Sequence, residues 1–289
     1  PLAKSAEQNM ALLVTSAEGP GGSTTQAMQI GQILSGKMVG KAGEEPRAAL
    51  YLGGGAANVP RDPGLTVQGS LRRFDLDAWN ALDLTGPAMG GGVSPRLIQV
   101  HLAELRAMGR EFHDMRIKAT PAQRGWRLEL QGREVVGDVF YGEAGGLPGK
   151  RLSGNFQRLA IPPVNGPAVQ AAEAGEPVEL PRIVELNVKS FALGDREIGE
   201  LNTTMEAERT GLRTRNLVIG NPDGHLQGGG WVSASHRQET VLDVQLDTAN
   251  AGKLLARLGL TEGIKGGAAN LSGKINWLGR PEDFDIANL

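Results

Sequence analysis

The stretch MGREFHDMRIKA, residues 108–119, has a diverged copy later in the chain, and this pair decides the fold class. The copy is LGDREIGELNTTMEA, residues 193–207. Both place an apolar residue and Gly shortly before Arg-Glu and then continue as an alternating run. Met115 and Leu201 stand 86 positions apart, as do Gly125 and Gly211. Such a period predicts stacked copies of one structural unit, because a single copy cannot bury its apolar face alone.

Alternation of apolar and polar residues dominates both copies. In MRIKA, Met115 and Ile117 fall on one face and Arg116 and Lys118 on the other. A period of two with one apolar face predicts half-buried antiparallel strands. The same pattern recurs in WRLEL (126–130), VVGDVFY (135–141), LNTTMEAE (201–208), LDVQL (242–246) and LSGKINW (271–277). Short turn signals such as NPDG (221–224) predict that neighbouring strands pair in chain order.

Helical patterns are scarce. DLDAWNALDL (75–84) has an Asp that can cap a short helix, and DTANAGKLLARLG (247–259) offers Asn250 or Asp247 as the cap and Gly259 as the end. Residues 162–180 are rich in Pro and Ala, and we predict a linker or crossover there, with a helical turn at 167–174.

The domain organisation follows from the repeat. We expect residues 1–289 to be a fragment of one elongated repetitive β-structure, with pseudo-repeats at about 97–160 and 182–280 joined by the linker 162–180. The sequence has no starting Met, no signal peptide and no apolar run of about 20 residues. The expectation is therefore a piece of a longer protein whose membrane anchor lies outside it.

Composition excludes several classes of function. The formal net charge of −2 argues against a nucleic-acid binder, and the absence of Cys excludes disulfides and thiolate sites. Aromatic residues make up 4%, which argues against carbohydrate-stacking platforms. The four histidines, His101, His113, His225 and His236, have no metal-ligand spacing. We predict no catalytic residues, no metal and no cofactor, and hence a protein that is not an enzyme.

The apolar strand face is the remaining candidate site. Too little helix is predicted to cover it, so either the sheet closes on itself as a sandwich or barrel, or part of the face lines a groove. The pattern by itself favours the closed core. From alternation only, the residues that would line a groove are Met115, Ile117, Trp126, Leu128, Leu130, Val135, Val139, Leu201, Met205, Leu242, Val244, Leu246, Leu271 and Ile275.

Three stretches carry a family resemblance: GDREIGEL (194–201), NPDGHLQGGGW (221–231) and GGAANLSGKINWLGRPEDFDIANL (266–289). With the sequence around them they resemble the C-terminal part of the YhdP subgroup of AsmA-like proteins, large proteins of the Gram-negative envelope. The similarity runs through most of residues 46–289 and is less clear in the first 45.

The resemblance implies a fold and a function. The fold is mainly β, a long twisted antiparallel sheet curled into a taco-like groove, with two or three short helices. The full-length protein would be anchored in the inner membrane and project into the periplasm. There it would bridge the two membranes, carry phospholipid and serve outer-membrane biogenesis without being an enzyme. Its partners would be phospholipid acyl chains and no nucleic acid, and membrane contact would come only through parts outside this fragment.

Two other functions stay open. A non-enzymatic assembly or scaffold protein of the envelope would use its sheet edges to bind envelope partners by strand addition. A polysaccharide-acting β-protein is disfavoured by the low aromatic content and by the lack of a credible carboxylate pair.

Overall fold

The computed structural model describes residues 12–80, 93–164, 181–233, 239–259 and 265–278. The chain divides into two compact units. Unit 1 comprises residues 1–133 and 164–176, and unit 2 comprises residues 134–163 and 177–289.

Unit 1 is built of eight described strands and one short helix. In chain order they are β1 (Leu12–Gly19), β2 (Ser23–Ile30), β3 (Leu34–Lys41), β4 (Arg47–Leu52), β5 (Gly64–Asp75), α1 (Leu76–Asn80), β6 (Pro95–Ala107), β7 (Arg110–Ala122) and β8 (Gly125–Gln131). A single 3₁₀ turn at Pro20–Gly22 joins β1 to β2.

Unit 2 repeats this composition of eight described strands and one helix. They are β9 (Val135–Ala144), β10 (Leu147–Ile161), β11 (Ile183–Leu193), β12 (Arg196–Glu208), β13 (Gly211–Asn221), β14 (Gly224–Ser233), β15 (Glu239–Thr248), α2 (Ala251–Arg257) and β16 (Ala269–Leu278).

Within each unit the described strands pair in chain order, as the short turns predict. Pairing is antiparallel except at three places, where β4 pairs with β5, β5 with β6, and β10 with β11 in parallel. A parallel pair requires the chain to return to the edge from which it started, so a longer connection precedes each second strand. Alternation reports which face a residue occupies and carries no information on strand direction, so these three pairs could not be predicted from it.

The predicted fold class is confirmed: the protein is mainly β, with sequentially ordered strands and short helices. The closed sandwich or barrel that alternation alone favours is wrong for the described part of the chain. There, each unit is an open sheet whose strands pair with their neighbours in sequence, and the helices have only five and seven residues.

The two copies of the repeated stretch, residues 108–119 and 193–207, form equivalent strands. β7 and β12 each have 13 residues and begin with Arg-Glu, and the strands after them begin at Gly125 and Gly211. The pseudo-repeat boundaries at about 97–160 and 182–280 stay a prediction. Residues 165–180, with the predicted helical turn at 167–174, lie outside the described residues.

Both predicted helices form, and each is capped as its sequence suggests. The carboxylate of Asp75 accepts the Ala78 N–H at 2.8 Å, and residues 81–84 of the predicted helix lie outside the described part. In α2 the cap is Asn250, whose side-chain oxygen accepts the Lys253 N–H at 3.0 Å. Gly259, at φ +69°, follows the helix end, as is common for a glycine at this position.

Candidate functional site: the apolar sheet faces

The register of unit 2 aligns large apolar side chains across neighbouring strands. Val188 of β11 is paired with Leu201, which is paired with Ile219 of β13. Ile219 is paired with Leu226, and the row continues through Leu246 to Leu271. Because side chains of directly paired residues lie on the same side of a sheet, these residues define the apolar face of unit 2.

Every predicted groove residue of unit 2 belongs to this apolar face. A second row pairs Val139 with Gly154 at one end and Gly228 with Val244 near the other, and a third contains Val184 paired with Met205. The register thus brings together Val135, Val139, Leu201, Met205, Leu242, Val244, Leu246, Leu271 and Ile275.

The five predicted residues of unit 1 also share one face. Ile117 is paired with Leu130, Ala119 with Leu128, and Pro121 with Trp126. Met115 lies two residues before Ile117 in β7 and so on the same side. Val100 of β6 is paired with Ile117 and extends this apolar face of unit 1 toward earlier strands.

Burial shows that the apolar faces are partly covered although each unit is a single open sheet. Met115 and Val188 are each 3% exposed and Leu201 is 7% exposed. Side chains of one sheet reach such burial by covering one another, as happens when the sheet curls toward that face. Leu271, on the last described strand, is 59% exposed and is the exception among the predicted residues.

The glycines of the apolar face of unit 2 differ in the space they leave. A Cβ at Gly137 would meet the ring of Phe156 at 2.7 Å, so this ring fills the place of a side chain. At Gly228 the nearest side-chain atom is Cγ1 of Val244, 3.1 Å away. At Gly273 nothing lies within 4 Å. The space above the apolar face is therefore filled by a ring near Gly137 and is empty near Gly273.

Several residues of the apolar face of unit 2 were missed at the sequence level. Phe156, Val188, Ile219 and Leu226 belong to it by register. Val188 could have been predicted, since IVELNVKS (183–190) alternates between apolar and polar residues as MRIKA and LNTTMEAE do. Phe156 lies beside a register shift, which breaks the period of two and hides the pattern.

The polar groups on the apolar face of unit 2 are internally satisfied. Thr203, 8% exposed, donates its hydroxyl to the carbonyl oxygen of Asn216 at 2.9 Å. Throughout the described residues, no buried side-chain nitrogen or oxygen is without a hydrogen-bond partner. This surface can therefore cover an apolar ligand without leaving a polar group unpaired.

The opposite side of the unit 2 sheet, its polar face, carries ion pairs. Arg213 Nε lies 2.6 Å from Glu208 Oε1, and Arg215 Nη2 lies 3.0 Å from Glu206 Oε2. The hydrogen bond from Arg213 is the main cause that lowers the pKa of Glu208, and the same bond raises the pKa of Arg213. Both partners are exposed, so this face of the sheet is in contact with solvent.

The described residues contain no group of three or more His, Asp or Glu side chains that could hold a metal ion. His101, His113 and His225 lie on strands, while His236 lies outside the described residues. Among the helices that the structure describes, none has the length and apolar character needed to cross a bilayer.

The described strands form open β-sheets with short helices, and in unit 2 one face of the sheet is apolar while the other carries exposed ion pairs, which defines the class of mainly β, open-sheet proteins. The chain belongs to the YhdP protein family, which matches it over residues 1–289. This is a family of Gram-negative envelope proteins, and membership in it indicates a lipid-transport-like protein. No curated protein and no solved structure matches the chain.

Proposed function

We propose that this chain is a periplasmic segment of a bridge-like protein that carries phospholipid between the inner and outer membranes. In this proposal the acyl chains lie on the apolar faces, and the chain performs no catalysis. The full-length protein would be anchored in the inner membrane, so contact with either membrane would come from parts outside residues 1–289.

One observation carries the proposal: in the described part of unit 2, the register aligns apolar residues across consecutive strands of one open sheet. In unit 2 the row from Val188 through Leu246 crosses five strands, β11 to β15, with no charged residue in it. An apolar strip that crosses strands suits a flexible, extended apolar ligand.

The energetics of such binding are favourable. Each acyl CH₂ removed from water contributes roughly 0.8 kcal/mol, so about ten buried groups contribute about 8 kcal/mol. The headgroup needs no dedicated pocket if it remains in water at the open edge of the sheet. Binding without headgroup contacts also lets a lipid move along the strip, because every position offers similar contacts.

Native mass spectrometry with lipid extraction tests the proposal on protein purified without detergent from a Gram-negative host. We expect phospholipid to co-purify, and we expect Val244→Glu and Leu128→Glu each to reduce the bound lipid at least several-fold. A carboxylate placed among acyl chains is either desolvated or forced to bind a proton, and both are costly.

Matched controls are the adjacent exposed residues on the other side of each strand, Gln245→Glu and Arg127→Glu. They introduce the same side chain one position away and should keep the bound lipid. Lipid-free protein, or equal loss in variants and controls, would contradict the proposal.

A scaffold function is the second candidate, and the exposure of β16 favours it. In the described part β16 pairs with β15, and it exposes Leu271 and Leu278 at 59% and 77%. Such a strand could bind an envelope protein by strand addition. A lipid-free mass together with a thermal transition that added phospholipid does not change would favour this function over transport.

A further inference from the structure

The polar face of unit 2 contains a shallow cleft. Its volume is about 610 Å³. It spans four neighbouring strands, β13 to β16, and its lining residues are Asn216, Val218, Gln227, Gly228, Asp243, Val244, Gln245, Ser272, Gly273 and Lys274. The polar members alternate along their strands with the apolar-face residues Gly228, Val244 and Gly273, so their side chains enter the cleft from the polar face.

Amide side chains form a row through this cleft and beyond it. Gln227 is paired with Gln245, which is paired with Ser272, and on the other side Gln227 is paired with Val218. The same row continues from Val218 to Asn202, Asn187 and Asn155 on earlier strands. From β10 to β16, each strand contributes one side chain to this row, and every one except Val218 can form hydrogen bonds.

The amides keep hydrogen-bonding capacity for a ligand. Gln227 Nε2 donates to Gln245 Oε1 at 3.2 Å, and Asn187 Nδ2 donates to Asn155 Oδ1 at 3.3 Å. Each amide has two N–H donors and an oxygen with two acceptor sites, so one such bond leaves both kinds of group available. All four side chains are exposed.

The charge of the cleft restricts the ligand. Asp243 and Lys274 are its only charged lining residues, and their charged atoms lie 3.9 Å apart. The cleft therefore has no net charge, which does not suit an anionic polymer that requires a basic surface. Its polar side chains do not suit an acyl chain either. The cleft offers both hydrogen-bond donors and acceptors and has no net charge. This combination suits a ligand with hydroxyl and acetamide groups.

Spacing indicates a repeating ligand. Neighbouring strands lie about 4.7–4.9 Å apart, so the amide row offers a hydrogen-bonding group at that interval. The rise of one sugar residue in an extended β-linked glycan is close to this strand spacing. Four strands would then face about three sugar residues. An extended peptide lying across the cleft would gain less, because β13, β14 and β15 are each paired with a described strand on both sides.

We propose that the polar face of unit 2 binds an uncharged, hydroxyl- and acetamide-bearing glycan strand, laid across β13–β16 along the amide row. This binding does not depend on lipid transport, since it uses the other side of the sheet. The cleft lining contains no aromatic ring on which a sugar could stack. Each segment of glycan therefore binds weakly, and a long glycan gains from contacting several amides at once.

The test is a titration of the full chain with the β-1,4-linked hexamer of N-acetylglucosamine, followed by isothermal calorimetry or ligand-observed NMR. We expect a dissociation constant of about 1 mM. Cellohexaose, which lacks the acetamide groups, shows whether hydroxyl groups suffice. The double variant Gln227→Ala/Gln245→Ala should weaken binding about tenfold, since it removes two neutral hydrogen-bonding groups.

Gln123→Ala/Gln157→Ala is the matched control, because both glutamines are exposed and lie outside the cleft. It should bind as the unchanged protein does. Leu128→Glu, which tests lipid binding in unit 1, should also leave glycan binding unchanged, so the two proposals fail independently. No binding of either hexamer at about 10 mM, or equal binding by the cleft variant and the control, would overturn the glycan site.

Discussion

Val244 and Gln245 are neighbours in β15, yet their side chains belong to opposite faces and to different proposed ligands. This follows from the period of two, which places successive side chains on opposite sides of a strand. A register error of one residue would exchange the two roles. Paired residues from seven other strands of unit 2 fix the register, so the face of each residue follows from many pairs.

The ion pair of Glu208 with Arg213 predicts a pH-dependent contribution to stability. The folded-state pKa of Glu208 lies below its ordinary value of 4.5 because Arg213 donates a hydrogen bond to the carboxylate. The stabilisation is therefore present above that ordinary value and is lost as the pH falls through the lowered pKa. Glu208→Gln should lower Tm slightly at about pH 7, and this loss should shrink progressively as the pH falls below 4.5.

Glu200→Gln is the control, since Glu200 is an exposed carboxylate on the same strand. Thermal unfolding followed by circular dichroism at low and high salt provides the measurement. The Glu208 effect should shrink at high salt, because both side chains are exposed and the pair is screened. A difference that grows toward acidic pH would refute this account of Glu208.

At the scale of elements, alternation predicted the strands well wherever one face is apolar and the other is polar. MRIKA and LNTTMEAE lie within β7 and β12 as expected. The parallel pairing of β10 with β11 was not predictable, because it depends on where the chain between them returns. The candidate faces could be predicted from the same alternation, whereas Phe156 was missed beside its register shift.

Gly199 marks an irregularity in β12 that predicts a strong preference for glycine. Its φ is +134°, and a Cβ there would lie 2.2 Å from the carbonyl oxygen of Gly220. Gly199→Ala should therefore lower the free energy of unfolding by about 2–3 kcal/mol. Gly220→Ala is the matched control, because its nearest contact would be an ordinary 3.7 Å to His225. Urea unfolding measures both, and equal losses would contradict the interpretation.

The helix α2 packs against the start of β14 through Leu254. This side chain is 6% exposed and lies against Gly224, where a Cβ would come within 3.1 Å of it. Arg257 Nε also donates to Asp223 Oδ2 at 2.8 Å. Leu254→Ala should destabilise the protein by about 2–3 kcal/mol and speed amide exchange in α2. The half-buried Leu255→Ala should cost less, and an equal or larger cost would show that Leu254 is not the anchor.

At the scale of the whole molecule, both units present an apolar sheet face, unit 2 also has a polar one, and the chain belongs to a Gram-negative envelope family. The sequence could predict the two-faced strands because alternation is local. It could not decide between a closed core and an open sheet, because that depends on which strands pair and on how little helix there is to cover them. The order in which the described strands pair shows that the sheet of each unit is open.

Site-specific photo-crosslinking tests whether lipid is carried on the apolar faces. A benzoyl-phenylalanine at Val244 or Leu128, and in parallel at Gln245 or Arg127, is irradiated in living Gram-negative cells, and the purified protein is examined by mass spectrometry for lipid adducts. We expect phospholipid adducts at Val244 and Leu128 and none at Gln245 and Arg127. Adducts of equal yield on both faces, or none on the apolar faces, would contradict it.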